Sequence, residues 1–237
     1  MYATTQHSHR RAANTTPAVG SNVRSQREAT VASWPRLVNE PPRELTFTAG
    51  QTVFFDGDEA KYFFEIVTGT LRCCRLTQDG RRQIYRFVGA GEMLGLSGEE
   101  LHSYSAEAVT EVVVRRYRLL SLNTAMIKDQ KMRERVLQSL RDELTAVRTQ
   151  MTLLGQMSAT EKVASFLVDL SERSADPGGW LHLPMTRCDI ADYLGLTIET
   201  VSRKISELRR LRVIDMQTPS DIRIAEPERL ADFAEAA

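Results

Sequence analysis

Long apolar runs are missing from this 237-residue chain, and cysteine is scarce. No stretch approaches the ~20 apolar residues of a membrane span. No apolar segment follows the basic residues near the start, so no secretory signal is expected either. The three cysteines are too few for a disulfide framework and lack zinc-site spacing. We therefore predict a cytoplasmic protein, without membrane contact, that keeps its thiols reduced.

An excess of charge is also absent, because 31 basic residues balance 31 acidic ones. Any electrostatic function must therefore come from local clusters. The four histidines are scattered and form no catalytic or metal-binding group. The composition thus predicts a protein that is not an enzyme and needs no metal or cofactor, with a cupin-like metal enzyme as the alternative.

The residue pattern divides the chain into segments of different character, and together they predict an α+β fold. Residues 1–40 are polar and lack apolar periodicity, which is typical of a mobile tail. Residues 41–124 carry short β-branched runs separated by Gly and Asp turns, as in an antiparallel, jelly-roll-like β-roll. Residues 157–237 predict helices, a strand pair and a terminal helix.

Residues 125–156 lie between these segments and have the period of one long amphipathic helix. A narrow apolar stripe with charged residues outside it favours a seam between two copies of the chain. A helix that lies on its own domain is the alternative. The predicted dimer seam consists of Val136, Leu140, Leu144, Val147, Met151 and Leu154.

The stretch "RCDIADYLGLTIETVSRKISELRR", residues 187–210, predicts two helices joined by a tight turn. Thr186 and Asp189 have capping-box spacing at the start of the first helix. Gly195 supplies the left-handed position that the turn needs, and Thr197 caps the second helix. This arrangement is a helix-turn-helix.

Glu199, Ser202 and Arg203 share the outer face of the second helix, where its first turns would enter the major groove of DNA. Arginine can bind guanine and glutamate can bind cytosine there. A simple surface ion pair between Glu199 and Arg203 is the alternative. Contacts to the DNA backbone are predicted for Thr186, Arg187, Thr197, Thr200, Lys204 and Arg209.

"MTRCDIADYLGLTIETVSRKISELRRLRVI" resembles the winged helix-turn-helix of Crp/Fnr transcription regulators, and "LGLTIETVSR" resembles their Fnr and FixK branch. "GEMLGL" is similar to part of the family's β-roll, and the heptad helix is similar to its dimerisation helix. The resemblance implies a homodimer on a TTGAT-N4-ATCAA-like palindrome, recruitment of RNA polymerase, and a base contact from Ile198.

Departures from the family pattern bear on how the protein would be controlled. Tyr104 stands where members that bind cyclic nucleotides carry an arginine, and the N-terminal cysteines of an iron–sulfur cluster are missing. The resemblance then implies a FixK-type activator of low-oxygen respiration and nitrogen-fixation genes that needs no effector. A regulator whose β-roll binds a non-nucleotide effector is the alternative.

Cys188 offers a possible direct control. It lies in the first turn of the helix expected at the DNA backbone, next to Arg187, and both features favour a reactive thiolate. Oxidation there would place negative charge against phosphate and weaken binding. An inert thiol that fills a small site is the alternative.

Overall fold

Short antiparallel strands build the N-terminal half of the molecule. The structure is a computed structural model that describes residues 42–96, 100–174, 176 and 178–235, so the predicted tail of residues 1–40 lies outside the described residues. Two four-stranded sheets, with strand orders β1-β8-β3-β6 and β2-β7-β4-β5, confirm the predicted β-roll. The strands are β1 (Arg43–Phe47), β2 (Thr52–Phe54), β3 (Tyr62–Thr68), β4 (Leu71–Leu76), β5 (Arg82–Val88), β6 (Met93–Leu94), β7 (Ser105–Ala108) and β8 (Val112–Arg118).

The hairpin of β4 and β5 turns at "QDGR", residues 78–81, one of the Gly and Asp turns expected from the sequence. Gly80 adopts φ +79°, which an L side chain tolerates poorly, and the Thr77 N–H donates to the Arg81 carbonyl at 2.8 Å. Apolar side chains from both sheets meet inside the roll because they alternate along the strands. This core includes Phe54, Phe64, Ile66, Leu71, Cys73, Val88, Leu94, Tyr104, Val112 and Val114.

The predicted long helix is in fact two helices, α1 (Leu119–Lys128) and α2 (Gln130–Gln156). Asp129 separates them because its backbone is extended, at φ −127° and ψ 110°. Its carboxylate accepts a hydrogen bond from the Lys131 N–H at 2.9 Å and another from the Met132 N–H, so it caps α2. The long helix therefore begins at Gln130, five residues after the predicted limit.

Two stripes of residues run along α2, each with steps of three and four. One stripe faces the chain's own domains and contains Met132, Val136, Ser139, Glu143, Ala146, Gln150 and Leu153. The other consists of exposed apolar side chains: Leu137, Leu140, Leu144, Val147, Met151 and Leu154. The helix thus packs on its own chain and still presents an unpartnered apolar face.

The C-terminal module combines four helices and a small sheet. Its elements are α3 (Ala159–Ser174), β9 (Trp180–His182), α4 (Arg187–Leu194), α5 (Ile198–Arg210), β10 (Ile214–Met216), β11 (Asp221–Ile224) and α6 (Pro227–Ala234). The expected pair of β10 and β11 is confirmed, and β9 adds a third antiparallel strand next to β11. Over the described ranges, no helix is both long and apolar enough to cross a membrane.

Candidate nucleic-acid interface

Local side-chain hydrogen bonds and one glycine determine where the first helix of the predicted helix-turn-helix begins and ends. The Thr186 side chain accepts from the Asp189 N–H at 3.1 Å, and the Asp189 carboxylate accepts from the Thr186 N–H at 3.0 Å, which completes the capping box of α4. Gly195 ends α4 in the left-handed conformation, at φ +61°. A Cβ there would lie 2.9 Å from a methyl group of Leu154. Glycine therefore suits the left-handed turn, and a larger residue would also require the Leu154 side chain to shift.

The second helix, α5, is strongly amphipathic. Val201, Ile205 and Leu208 are buried against the module core, and Thr197 caps the helix by accepting from the Thr200 N–H at 3.2 Å. The opposite face, which begins in the first turn, is open to solvent. It carries all four predicted base-reading residues, Ile198, Glu199, Ser202 and Arg203, as exposed side chains.

Glu199 and Arg203 make contacts within the first turns of α5. Hydrogen bonds from its own backbone N–H and from Thr197 lower the pKa of Glu199, so its carboxylate is ionised at neutral pH. The Arg203 guanidinium lies 3.4 Å from the Thr200 hydroxyl. These are weak surface bonds, which an incoming base edge can replace.

The predicted backbone contacts on α5 surround this face. Thr197 and Thr200 lie at its N-terminal end, with their hydroxyl oxygens 3.2 Å apart. Lys204 pairs with Glu207 at 2.9 Å, and Arg209 is exposed in the last turn. The structure thus brings these residues together with the predicted base-reading residues at one helix.

The remaining predicted residues lie at the start of α4. Thr186 and Cys188 are exposed, whereas Arg187 is half-buried. The Arg187 guanidinium donates to the Pro219 carbonyl at 2.7 Å, and burial lowers its pKa. Arg187 therefore ties α4 to the turn between β10 and β11, the wing, instead of extending freely into solvent.

The end of α5 contains a feature that the sequence prediction missed. Arg212 adopts φ +59°, a left-handed conformation that usually belongs to glycine. The Val213 N–H donates to the Leu208 carbonyl and the Arg212 N–H donates to the Arg209 carbonyl, the two bonds of a Schellman motif. An apolar Val213 three residues after the end of the helix is the signal that would have indicated it.

The structure differs from the predicted dimer seam at one residue. Val136 is only 3% exposed and packs with Phe63, Met93 and Tyr117 of the same chain, whereas Leu137 is 45% exposed. With Leu137 in place of Val136, the outer stripe keeps strict three-and-four spacing. The other five predicted seam residues, from Leu140 to Leu154, remain exposed.

The three thiols have different surroundings. Cys188 is exposed, whereas Cys73 and Cys74 are buried. Cys73 lies inside the roll near Tyr85, and Cys74 lies on the outer face of the sheet near Glu107 and two arginines. Burial raises the pKa of Cys73 to about 12 and that of Cys74 to about 11. In the part of the chain that is described, no His, Cys, Asp and Glu side chains are grouped as a metal site requires.

Tyr104 is buried inside the roll and takes part in its packing. Its hydroxyl accepts a hydrogen bond from the Gly95 N–H at 3.1 Å, and its ring lies 5.3 Å from Phe54. Burial raises the pKa of Tyr104, so the phenol is neutral. The nearby Arg86 guanidinium, also buried, is paired with Glu92 at 3.0 Å.

The β-roll, the long helix and the exposed helix-turn-helix face define a DNA-binding transcription regulator. The family model described as a cyclic nucleotide-binding domain matches residues 44–129, and the one described as a Crp-like helix-turn-helix domain matches residues 161–233. The chain belongs to the Crp/Fnr family of transcription regulators.

Relatives of known name support this assignment over most of their length. The chain is 40% identical to the nitrogen fixation regulation protein FixK of Rhizobium meliloti over 84% of this chain and 87% of that protein. It is 34% identical to the transcriptional activator protein FnrL of Cereibacter sphaeroides, over 80% of this chain and 79% of that protein. The solved structure of FixK2 from Bradyrhizobium japonicum superimposes with a TM-score of 0.79 at 34% identity, over 84% of this chain and 100% of that one.

Proposed function

We propose that this regulator binds, as a homodimer, a palindrome of the TTGAT-N4-ATCAA type and acts mainly as an activator. The observation that carries the proposal is the exposed face of α5, where Ile198, Glu199, Ser202 and Arg203 lie free to meet base edges. Thr197, Thr200, Lys204 and Arg209 lie around this face and Thr186 lies at the start of α4, and these residues would supply hydroxyl and cationic groups for phosphate. Arg187 would hold the wing in place, because its guanidinium is bound to Pro219.

The proposed dimer would form along α2. Its outer stripe offers six apolar side chains at heptad spacing, Leu137, Leu140, Leu144, Val147, Met151 and Leu154, which is the geometry of a two-helix seam. We keep the division into a β-roll (41–124), a dimerisation helix (125–156) and a winged helix-turn-helix (157–237). The ranges of the two family models support this division.

We extend the proposal to control of low-oxygen respiration and nitrogen-fixation genes, and the names of the relatives support the nitrogen-fixation part. The most similar ones reported above are a nitrogen fixation regulation protein and a transcriptional activator. Activation by a DNA-bound dimer implies contact with RNA polymerase, and both partners place the protein in the cytoplasm. The exposed face of α5 serves a regulatory role and not catalysis.

Footprinting of purified protein on such a palindrome, with no added ligand, tests the proposal. The wild type should protect two half-sites about one helical turn apart. Arg203→Gln should lose discrimination at one base pair, about tenfold or more in Kd. Arg210→Gln, an exposed change at the far end of α5, is the control and should weaken binding similarly on all sequences. Absence of paired protection with wild-type protein would remove the central proposal.

Two residues inside the roll support the proposal that the protein is active without a cyclic nucleotide. Tyr104 fills the position of the expected arginine, and Arg86 is already neutralised by Glu92, so a cyclic phosphate would find no free cation there. The alternative is a regulator whose β-roll binds a non-nucleotide effector. Transcription with purified polymerase separates the two, because only the effector-gated protein would need a small-molecule extract.

We also propose that oxidation of Cys188 switches DNA binding off. Cys188 is exposed in the first turn of α4, while the other two thiols are buried. Peroxide would oxidise the Cys188 sulfur to a sulfinate or sulfonate, and the added negative charge would repel phosphate. Wild-type protein should lose DNA binding after peroxide treatment, whereas Cys188→Ser should keep it. Equal loss in the two proteins would contradict this role.

A further inference from the structure

The helix α4 is held near its N-terminus by charges from the β-roll. Asp189 is only 2% exposed, and its Oδ1 accepts from Arg72 Nη1 of β4 and from Arg82 Nη2 of β5, each at 2.8 Å. The other carboxylate oxygen serves the capping box with Thr186. One buried carboxylate therefore joins the helix cap to two arginines more than a hundred residues away in sequence.

Each arginine is anchored by a second acid. Arg82 Nε donates to the Asp192 carboxylate on α4 at 2.9 Å. Arg72 pairs at 2.7 Å with Glu107 of the neighbouring strand β7. All five side chains are at most a quarter exposed, so water screens these pairs only partly. The network is therefore a fixed bridge between the roll and α4.

The C-terminal end of α4 is held as well. The last four carbonyls of a helix have no partner within it. The Asp192 carbonyl accepts from Gln83 Nε2 of β5 at 2.8 Å, and the Tyr193 carbonyl accepts from Gln150 Nε2 of α2 at 2.6 Å. The Tyr193 ring also packs 5.5 Å from Phe87 of β5. Side chains from outside the DNA-binding module thus bind both ends of α4, the first helix of the helix-turn-helix.

These contacts leave the DNA-binding face free. Every predicted base-reading side chain of α5 is exposed, and none of the contacts that dock α4 involves one of them. We propose that Arg72, Arg82, Gln83 and Gln150 form an interdomain clamp that orients the recognition helix for palindrome binding without a ligand. They are positioning residues that act through α4. The inference rests on the proposed dimer, since two half-sites one turn apart require a fixed orientation of each α5.

Two variants of the full-length chain test the clamp. Arg82→Gln removes the charge shared by Asp189 and Asp192, and Gln83→Leu removes only the cap on the Asp192 carbonyl. Arg75→Gln is the matched control, because Arg75 lies on β4 opposite Gln83 in the same hairpin and its partner, Asp56, belongs to the roll itself. Arg82→Lys restores the charge without the fork and should recover part of any loss.

Affinity is measured on palindromes whose half-sites are separated by three, four, five or six base pairs. Arg82→Gln and Gln83→Leu should raise Kd on the four-base-pair spacer by about tenfold and about threefold, and less on the others, so the preference for one spacing falls. A second readout is Cys74, which lies beside Arg72 and Arg82. In a Cys188→Ser background, maleimide should label Cys74 faster in the two clamp variants than in the control.

The outcomes separate the inference from the proposed function. Wild-type protein that fails to protect paired half-sites would refute the proposed dimer on a palindrome. If the wild type binds and both clamp variants keep its Kd and spacer preference, the clamp inference is wrong. Equal loss on every spacer with Cys74 still protected would mean a structural role only. Tighter binding by the variants would show that the contact opposes DNA binding, which also overturns the inference.

Discussion

Replacing Leu137 with glutamate should dissociate the proposed dimer and leave each protomer folded. Leu137 is 45% exposed on the outer stripe of α2. Full burial of a leucine is worth about 1.5–3 kcal/mol, so the exposed half represents about 1 kcal/mol in each protomer and about 2 kcal/mol per dimer. Two carboxylates facing each other across the seam add a desolvation and repulsion penalty. We therefore expect the dimer Kd to rise at least about thirtyfold.

Val136→Ala is the matched control for this experiment. Val136 is 3% exposed and belongs to the core shared by the roll and α2. Removing its methyl groups should lower the free energy of unfolding by about 2 kcal/mol without changing the dimer Kd. Sedimentation equilibrium over a concentration series gives the Kd, and urea titration gives stability. If Val136→Ala shifted the Kd and Leu137→Glu did not, the seam would run through Val136, and the assignment of Leu137 to the outer stripe would be wrong.

Three further results are expected. Asp189→Ala should lower the free energy of unfolding by about 3 kcal/mol, because it removes a helix cap and a partly buried ion-pair partner; Asp189→Asn keeps a cap oxygen and should lose less, and equal urea midpoints would contradict this. Iodoacetamide at pH 8 should label Cys188 alone, as mass spectrometry can show, because Cys73 and Cys74 are buried and keep their protons until about pH 11 or above. Arg212→Gly should raise Tm by about 2–4 °C, because about 1 kcal/mol of left-handed strain at φ 59° is relieved; an unchanged calorimetric Tm would argue against strain there.

The helix-turn-helix could be predicted from sequence because its determinants are local. The capping box of Thr186 and Asp189, the left-handed Gly195 and the Thr197 cap all lie within a dozen residues of one another, and each forms as expected. The antiparallel strands of the roll were also predictable, since alternation and turn residues mark them directly. Periodicity and turn chemistry carry this information without any tertiary contact.

Neither the clamp nor the outward orientation of Leu137 on α2 could be predicted in this way. Val136 and Leu137 are adjacent, both apolar, and each continues a stripe with helical spacing, so only the packing partner decides which one faces outward. The capping box alone explains an aspartate at position 189. Its pairing with arginines on β4 and β5 therefore has no local signal in the sequence. The sequence pattern did not mark the first residues of α1, which begins at Leu119. It also did not mark β9, because a strand of three residues is too short to show an alternation.

The clamp also bears on how such regulators can be recombined. An excised C-terminal module would carry α4 with the Asp192 and Tyr193 carbonyls bare and the Asp189 carboxylate facing water without its arginines. A chimera that joins this module to the roll of another family member would inherit the same deficit unless that roll supplied matching groups on its β4–β5 hairpin. The segment that must be transferred to keep the proposed DNA recognition is therefore larger than the helix-turn-helix. It includes the β4–β5 hairpin from the other half of the sequence.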